Sequence, residues 1–148
     1  MPGPVTLHLA DEAATAALGV RLAEALRPGD VVLLAGDLGA GKTALARAVI
    51  RHLMADPDLD VPSPSFALVQ PYEGGGHVLL HADLYRLASE RDIDELGLFD
   101  RPEAILLVEW PERAPGLAAR ANIVVTLSLP ADRKGRIAVI DAPAERRI

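Results

Sequence analysis

The residues best suited to chemistry form one stretch, Gly36-Asp37-Leu38-Gly39-Ala40-Gly41-Lys42-Thr43. Its spacing is G-x-x-x-x-G-K-[ST], in which residues without side chains let successive backbone N–H groups surround a phosphate at the N-terminus of the following helix. Lys42 would add a positive charge at the β- and γ-phosphates, and the Thr43 hydroxyl would bind a magnesium ion that bridges them. We therefore predict a phosphate-binding loop for a magnesium nucleotide.

A magnesium nucleotide also needs an acidic group at the end of a strand beside this loop, because carboxylate and water oxygens fill the remaining positions of the octahedral ion. Glu109 meets this requirement, since it directly follows the apolar run Ile105-Leu106-Leu107-Val108. We predict that it supports the metal, directly or through water. The other interpretation is a surface acid at a strand end, which would leave Thr43 without an evident partner.

A second polar cluster is the segment His81-Ala82-Asp83-Leu84-Tyr85-Arg86. In an extended chain His81, Asp83 and Tyr85 share one face, while the apolar residues between them share the other, which would pack inward. Asp83 would orient or deprotonate an attacking water, or hold the water shell of magnesium. Arg86 would meet phosphate charge or pair with Asp83. For His81 we favour a hydrogen-bonded histidine that orients its neighbours.

Three further features lie near the predicted loop. Ser65, in Ser63-Pro64-Ser65-Phe66, is either a mobile hydroxyl that senses the γ-phosphate or part of a turn that leads into a strand. Trp110 follows Glu109 and would form a pocket wall, a partner surface or part of the core. The segment 111–120, with Arg113 and Arg120, is either a lid or a solvated connection.

The hydrophobic pattern predicts the elements that would hold these residues. Val31 to Ala35 is typical of a buried strand, and Leu45, Val49 and Leu53 recur at helical spacing after the loop. This strand, loop and helix are the expected unit of a parallel α/β core. The other predicted elements are an edge strand over 6–9, a helix capped by Asp11 with the stripe Leu18, Leu22, Ala25 and Leu26, strands over 66–72 and 77–83 joined by Gly74-Gly75-Gly76, a short helix over 89–96 closed by Gly97, and a hairpin of 122–129 with 136–142. The sheet should therefore be mixed.

Length and composition limit the classes of function. A chain of 148 residues is expected to form one domain over 1–148, with a short polar tail from about residue 143. The net charge of −6 argues against general affinity for nucleic acid backbones, so we expect no DNA binding and only an indirect link to RNA. No apolar run approaches a membrane span, and Met1-Pro2-Gly3-Pro4 lacks the basic start of a secretory signal. We expect a cytoplasmic protein.

With these motifs in order, the chain resembles the TsaE (YjeE) family, small bacterial ATPases needed to make threonylcarbamoyladenosine in tRNA. The phosphate loop alone is shared by many families, but the ordered set of motifs is specific. That set consists of the loop, Ser63-Pro64-x-Phe66, His81-x-Asp83-Leu84-Tyr85-Arg86-Leu87, Glu95-Leu96-Gly97 and Val108-Glu109-Trp110-Pro111.

The resemblance implies an α/β P-loop NTPase fold with a mixed parallel/antiparallel sheet flanked by helices, and ATP with Mg²⁺ as cofactors. It implies two partners, a TsaD-like threonylcarbamoyltransferase and a TsaB-like protein, through which any contact with tRNA would be indirect. By the same resemblance Thr43 and Glu109 hold magnesium, and Asp83 is required for activity. We expect Lys42 to act with these two carboxylates in catalysis. The nucleotide-binding set is Glu12, Gly36, Asp37, Leu38, Gly39, Ala40, Gly41, Lys42, Thr43, Ala44, Ser65, Arg86 and Arg136, with Gly135 beside the last.

The sequence departs from the family pattern at two of these positions. Ser65 stands where threonine is usual, which keeps the hydroxyl and loses a methyl group. Ala44 stands where a second threonine is common, so one hydrogen bond to the α-phosphate, worth about 1 to 2 kcal/mol, would be missing.

We expect a slow ATPase that its partners stimulate, because a P-loop without a well-placed arginine hydrolyses slowly. One alternative is a small-molecule kinase, which would need an acceptor site and a basic lid, with Arg113 and Arg120 as candidates. Another is a GTP-binding switch. Its usual Asn-Lys-x-Asp motif is not matched, since Asn122 is followed by Ile123.

Overall fold

The structure, a computed structural model that describes residues 3–143, 145, 146 and 148, is built on a seven-stranded sheet. Its strands are β1 (Val5–Leu9), β2 (Val31–Gly36), β3 (Val69–Gly74), β4 (His77–Asp83), β5 (Ile105–Glu109), β6 (Ile123–Ser128) and β7 (Arg136–Asp141). They lie in the order β1-β7-β6-β2-β5-β4-β3. The four central strands β6, β2, β5 and β4 run parallel, and the outer pairs are antiparallel. The predicted mixed sheet is confirmed.

Two helices, α1 (Glu12–Ala25) and α2 (Lys42–Leu53), cover one face of the sheet. As predicted, Asp11 caps α1, where its Oδ1 accepts a hydrogen bond from the backbone N–H of Ala14 at 2.8 Å. The predicted apolar stripe of α1 is largely buried, although Ala23 takes the buried position that we assigned to Ala25. The helices approach closely at Gly19, where an added Cβ would lie 2.5 Å from the Cβ of Ala48. Leu45, Val49 and Leu53 of α2 are buried, as their spacing predicts.

Loops and three short 3₁₀ helices cover the opposite face around a second apolar cluster. These helices span Glu90–Leu96, Pro111–Arg113 and Pro115–Arg120. The first is the predicted helix over 89–96, with Ser89 at its N-cap and Gly97 in left-handed conformation after it. Because both faces of the sheet are covered, the sequences of the central strands are nearly continuous apolar runs.

The strand predicted from Phe66 starts three positions later, at Val69. The backbone N–H of Leu68 donates to the carbonyl of Pro64 at 2.7 Å, and Leu68 has a left-handed φ of 66°. This turn keeps Phe66 out of the sheet and leaves its side chain 85% exposed. The hairpin between β3 and β4 follows the prediction, with Gly74 as the last residue of β3.

The predicted polar tail and the chain start fall partly outside the described residues, at Met1, Pro2, Ala144 and Arg147. Within the described part, Arg146 pairs with Asp30, whose Oδ1 accepts a hydrogen bond from Nη2 at 2.7 Å. This hydrogen-bonded pair raises the pKa of the Arg146 guanidinium. None of the helices formed by the described residues is long and apolar enough to span a membrane.

Candidate functional site

The phosphate loop follows β2 and ends at α2, as its spacing predicts. Three glycines with positive φ, Gly36, Gly39 and Gly41, make its path possible. At Gly36, with φ of 134°, an added Cβ would lie 2.0 Å from the carbonyl oxygen of Leu127. At Gly41, with φ of 102°, the space around an added Cβ is open, which leaves the loop free to receive a ligand. Leu38, at the tip of the loop, is 74% exposed.

Lys42 lies inside the loop and is only 5% exposed. Its Nζ donates to the carbonyl oxygens of Gly36 at 2.6 Å and Asp37 at 2.9 Å. The same ammonium lies 3.9 Å from the ring centroid of Trp110, a cation–π contact. Burial lowers the pKa of Lys42, and the carboxylate of Glu109 is the largest influence that opposes this shift. The ammonium therefore points into the space enclosed by the loop.

Thr43 and Glu109, the two residues predicted to support magnesium, are in direct contact. The Thr43 hydroxyl donates to Oε1 of Glu109 at 2.9 Å, although the two residues lie 66 positions apart. The parallel pairing of β2 with β5 produces this contact, because it carries the ends of both strands to the same edge of the sheet. Glu109 is 2% exposed, and its second oxygen, Oε2, lies 2.6 Å from Nε2 of His81. His81 is therefore bonded to its neighbour, as we favoured, and it is completely buried.

Asp83 lies beside Glu109, since the two residues are partners in the pairing of β4 with β5. The Asp83 side chain is 4% exposed and is oriented by two hydrogen bonds. Its Oδ1 accepts from the backbone N–H of Tyr85 at 3.0 Å, and its Oδ2 accepts from the Ser65 hydroxyl at 3.3 Å. Ser65 in turn contacts the hydroxyl of Ser63 at 2.7 Å. The predicted serine and the predicted acid are thus joined in one network.

The aromatic side of the site contains a residue pair that sequence reasoning did not assign. The rings of Tyr85 and Trp110 lie 4.9 Å apart, and Trp110 has a left-handed φ of 57°, a strained conformation for a bulky residue. Trp110 lines the cavity and also packs against the second apolar cluster, so the structure supports both the pocket-wall and the core interpretations. Tyr85 was placed on the face of His81 and Asp83 by alternation, but no local signal indicated its contact with Trp110.

Arg136 contacts the phosphate loop, and Glu12 lies in a neighbouring groove. The Nη2 of Arg136, at the start of β7, donates to the carbonyl oxygen of Gly39 at 3.3 Å. Arg136 also pairs with Leu9, which brings the start of α1 and its exposed residue Glu12 to this edge. Glu12 and Ala44 line a groove between α1 and α2.

Other candidates lie outside the cavity. The guanidinium carbon of Arg86 lies 4.4 Å from the ring centroid of Phe66, and within the described residues no ion pair joins it to Asp83. Arg113 lies over Tyr85 at 5.4 Å, at the edge of the site, whereas Arg120 lies over Phe99 at 3.9 Å. The side-chain oxygen of Asn122 accepts from the backbone N–H of Val31 at 2.8 Å, so this residue joins two strands.

The predicted residues brought together enclose a cavity of about 320 Å³. Its lining is Leu38, Gly39, Gly41, Lys42, Thr43, Ala44, Ser63, Ser65, Asp83, Tyr85, Glu109 and Trp110. The donor set fits a magnesium ion, because the Thr43 hydroxyl and the Glu109 carboxylate are hard oxygen ligands already in contact. The arrangement can hold an anion against backbone amides and one ammonium, with two carboxylates opposite.

Comparisons with known proteins identify the family. The model for "Threonylcarbamoyl adenosine biosynthesis protein TsaE" matches residues 9–137. The chain belongs to the TsaE family. It is 37% identical over 140 residues to the tRNA threonylcarbamoyladenosine biosynthesis protein TsaE of Rickettsia felis, which covers 94% of this chain and 81% of that relative. It is 34% identical over 130 residues to TsaE of Haemophilus influenzae, which covers 83% of this chain and 81% of that relative.

A solved structure supports the fold independently of these TsaE sequences. Bacillus subtilis YdiB superposes with a TM-score of 0.73 at 21% identity, and the match covers 99% of this chain and 90% of that one. At this identity the likeness concerns the fold alone. Together with the observed sheet, it confirms the predicted α/β P-loop fold.

Proposed function

We propose that this member of the TsaE family is a magnesium-dependent ATPase of tRNA threonylcarbamoyladenosine synthesis. In this proposal it hydrolyses ATP to support turnover of a TsaD-like threonylcarbamoyltransferase and its TsaB-like partner, in the cytoplasm. The observation that carries the proposal is the contact between Thr43 and Glu109 beside the Lys42 ammonium, in a cavity that opens at the phosphate loop.

The loop supplies the binding energy for the phosphates. The Lys42 ammonium, now bonded to the carbonyls of Gly36 and Asp37, would turn to the β- and γ-phosphates. Arg136, which touches Gly39 through its guanidinium, would border the rest of the nucleotide together with Glu12. These contacts should bind ADP and ATP even before chemistry occurs.

Thr43 and Glu109 would hold magnesium, which would neutralise charge on the phosphate oxygens. The hydroxyl of Thr43 has a free lone pair for this role while its hydrogen remains directed at Oε1 of Glu109. Glu109 reaches one methylene further than an aspartate would. Its carboxylate therefore meets the Thr43 hydroxyl from the end of β5.

Asp83 would position the attacking water and accept its proton. The carboxylate is fixed by the backbone N–H of Tyr85 and by the hydroxyl of Ser65, and it lines the cavity. Ser65 would exchange its bond to Asp83 for a phosphate oxygen, because the 3.3 Å hydrogen bond is long and Ser63 offers it a second partner. Departure of Ser65 would leave Oδ2 of Asp83 free for water.

Slow turnover of the isolated chain follows from the positions of the nearest arginines. Arg86 is stacked on Phe66, Arg113 lies over Tyr85, and Arg136 is bonded to Gly39. None of these contacts directs a guanidinium at the cavity, and an arginine supplied there is worth about 10³ to 10⁵ in rate.

Partner binding is expected at the mouth of the cavity. Leu38 and Tyr85, which are 74% and 44% exposed, line the cavity, and Phe66, which is 85% exposed, directly follows the lining residue Ser65. Large apolar side chains grouped at a surface mark interaction sites more often than solvated surface. A partner that covers them would also exclude water from the phosphates.

The proposal is tested by purifying the chain with its partners from its native cell and measuring ATP hydrolysis with and without them. We expect slow hydrolysis alone and a large stimulation in the complex. Fast turnover that no recovered protein changes would contradict the coupling. Competition between ATP and GTP for binding, and a screen for phosphate transfer to metabolites, would reveal a GTP switch or a kinase instead.

A further inference from the structure

His81 lines no part of the cavity, yet its ring contacts Glu109, which does line it. Its ring is 0% exposed, and Nε2 lies 2.6 Å from Oε2 of Glu109. We propose that His81 is a positioning residue, which fixes the Glu109 carboxylate so that its other oxygen faces Thr43 and the metal. This inference rests on the proposed magnesium-dependent nucleotide binding.

The direction of the hydrogen bond is set by chemistry. An ionised carboxylate only accepts hydrogen bonds, so Nε2 of His81 carries the hydrogen and donates it. Glu109 is thereby held at both oxygens, by the Thr43 hydroxyl from α2 and by the His81 ring from β4. Two donors on different elements leave the carboxylate a single orientation.

The register of the sheet explains why a histidine can perform this task. His81 pairs with Leu107 and Asp83 pairs with Glu109 across β4 and β5, so His81 lies two positions before Asp83 on the same face of β4. From there its ring approaches Glu109 from the interior of the sheet, while Asp83 lies at the open edge. The long glutamate side chain has one more rotatable bond than an aspartate, and the hydrogen bond to His81 restrains it.

The other nitrogen of His81 argues against a purely structural role. Nδ1 is buried and has no hydrogen-bond partner among the described residues. A histidine held only by packing would leave both ring nitrogens unsatisfied, where an apolar residue would leave none. The single bond to Glu109 is therefore what the ring contributes at this position.

The test uses two amides that differ by one methylene group. The side-chain amide of His81→Gln reaches the position of Nε2 and can still donate to Glu109, whereas that of His81→Asn reaches only the position of Nδ1. Calorimetry with a non-hydrolysable ATP analogue, in magnesium and in EDTA, gives the gain in affinity that magnesium provides. We expect His81→Asn to lower this gain about tenfold, and His81→Gln to retain it, with affinity in EDTA unchanged in both.

The outcomes separate the inference from the proposed function. If the wild-type chain binds the analogue no better in magnesium, the proposed function itself fails. If the wild-type chain shows the gain and His81→Asn keeps it, or if both amides lose it equally, the positioning role is overturned.

A measurement on the wild-type chain covers the case in which His81→Asn does not fold. His81 is fully buried, so its Nε2–H proton should exchange slowly and be visible by NMR with labelled histidine, unlike that of His52, which is exposed. We expect this resonance to shift when magnesium is added to the chain bound to the analogue, because the bond partner of the proton becomes a metal ligand. An unmoved resonance would contradict the inference.

Discussion

The loop side and the carboxylate side of the site are built in different ways. On the loop side, Lys42 and Thr43 belong to one contiguous stretch, which lines the cavity together with Leu38, Gly39 and Gly41. On the carboxylate side, Asp83 and Glu109 come from β4 and β5, and their positions depend on strand register. The loop side is thus suited to binding the phosphates of either ATP or ADP. The carboxylate side is suited to metal binding and hydrolysis, which need exact placement of the carboxylate oxygens. Substitutions on the two sides should therefore separate affinity from turnover.

The largest effect is expected from Asp83→Asn. The amide cannot accept a proton from water, so hydrolysis in the partner complex should fall about 10²- to 10⁴-fold. Nucleotide affinity should change little, because the loop side is intact. Single-turnover hydrolysis and calorimetry measure the two quantities. Asp141→Asn is the matched control, since Asp141 also ends a strand but is exposed. Normal turnover in Asp83→Asn would exclude the role assigned to this residue.

On the opposite side, Lys42→Ala should weaken nucleotide binding. Loss of a buried ammonium that meets phosphate charge costs about 3 kcal/mol, or about a hundredfold in dissociation constant. Lys134 is the only other lysine, and its exposed side chain makes Lys134→Ala a suitable control. Calorimetry that finds wild-type affinity in Lys42→Ala would mean that the ammonium remains on the loop carbonyls when nucleotide binds.

Glu109→Gln tests the place where the two sides meet, at the contact between Thr43 and Glu109. The amide keeps the shape of the side chain but removes the charge that a magnesium ion needs, so the gain in nucleotide affinity from magnesium should fall about tenfold. With magnesium removed by EDTA, the variant and the wild-type chain should bind nucleotide equally. A variant that differs from wild type in EDTA as well would show that Glu109 shapes the loop itself.

The smallest effect should come from Ala44→Thr on the loop side. Ala44 is exposed at the start of α2, so a threonine hydroxyl has room to reach the α-phosphate. One added hydrogen bond of about 1.4 kcal/mol predicts a tenfold rise in affinity. Ala17→Thr, at an exposed position of α1, controls for the change in helix propensity. Equal affinities in Ala44→Thr and wild type would place the α-phosphate out of reach of this residue.

Much of this fold follows from local sequence signals. The buried strand Val31–Gly36, the loop and the helix Lys42–Leu53 are fixed by apolar spacing and by glycines, which act over a few residues. The start of β3 could not be found in this way, because the turn at Leu68 depends on a hydrogen bond to Pro64 and on a left-handed residue that is not glycine. Propensity favoured a strand there, and local backbone geometry overrode it.

In the candidate site, too, local sequence signals predicted some residues, whereas contacts between distant segments could not be predicted. Thr43 and Glu109 could be predicted as metal ligands from the sequence, because Thr43 lies in the loop motif and Glu109 follows an apolar run. The hydrogen bond from His81 to Glu109 and the contact of Lys42 with Trp110 depend on the pairing of distant strands, which no spacing reveals. Arg86 looked suitable from its place beside Asp83. The exposed ring of Phe66 gave its guanidinium a different partner.

The proposed function requires one magnesium nucleotide between the phosphate loop and the Glu109 carboxylate. Calorimetry of the purified chain with the non-hydrolysable ATP analogue, in magnesium and in EDTA, measures this binding. We predict one binding site, with affinity higher in magnesium, and loss of that difference in Glu109→Gln. Absence of binding in magnesium, or binding that magnesium does not strengthen, would contradict the account.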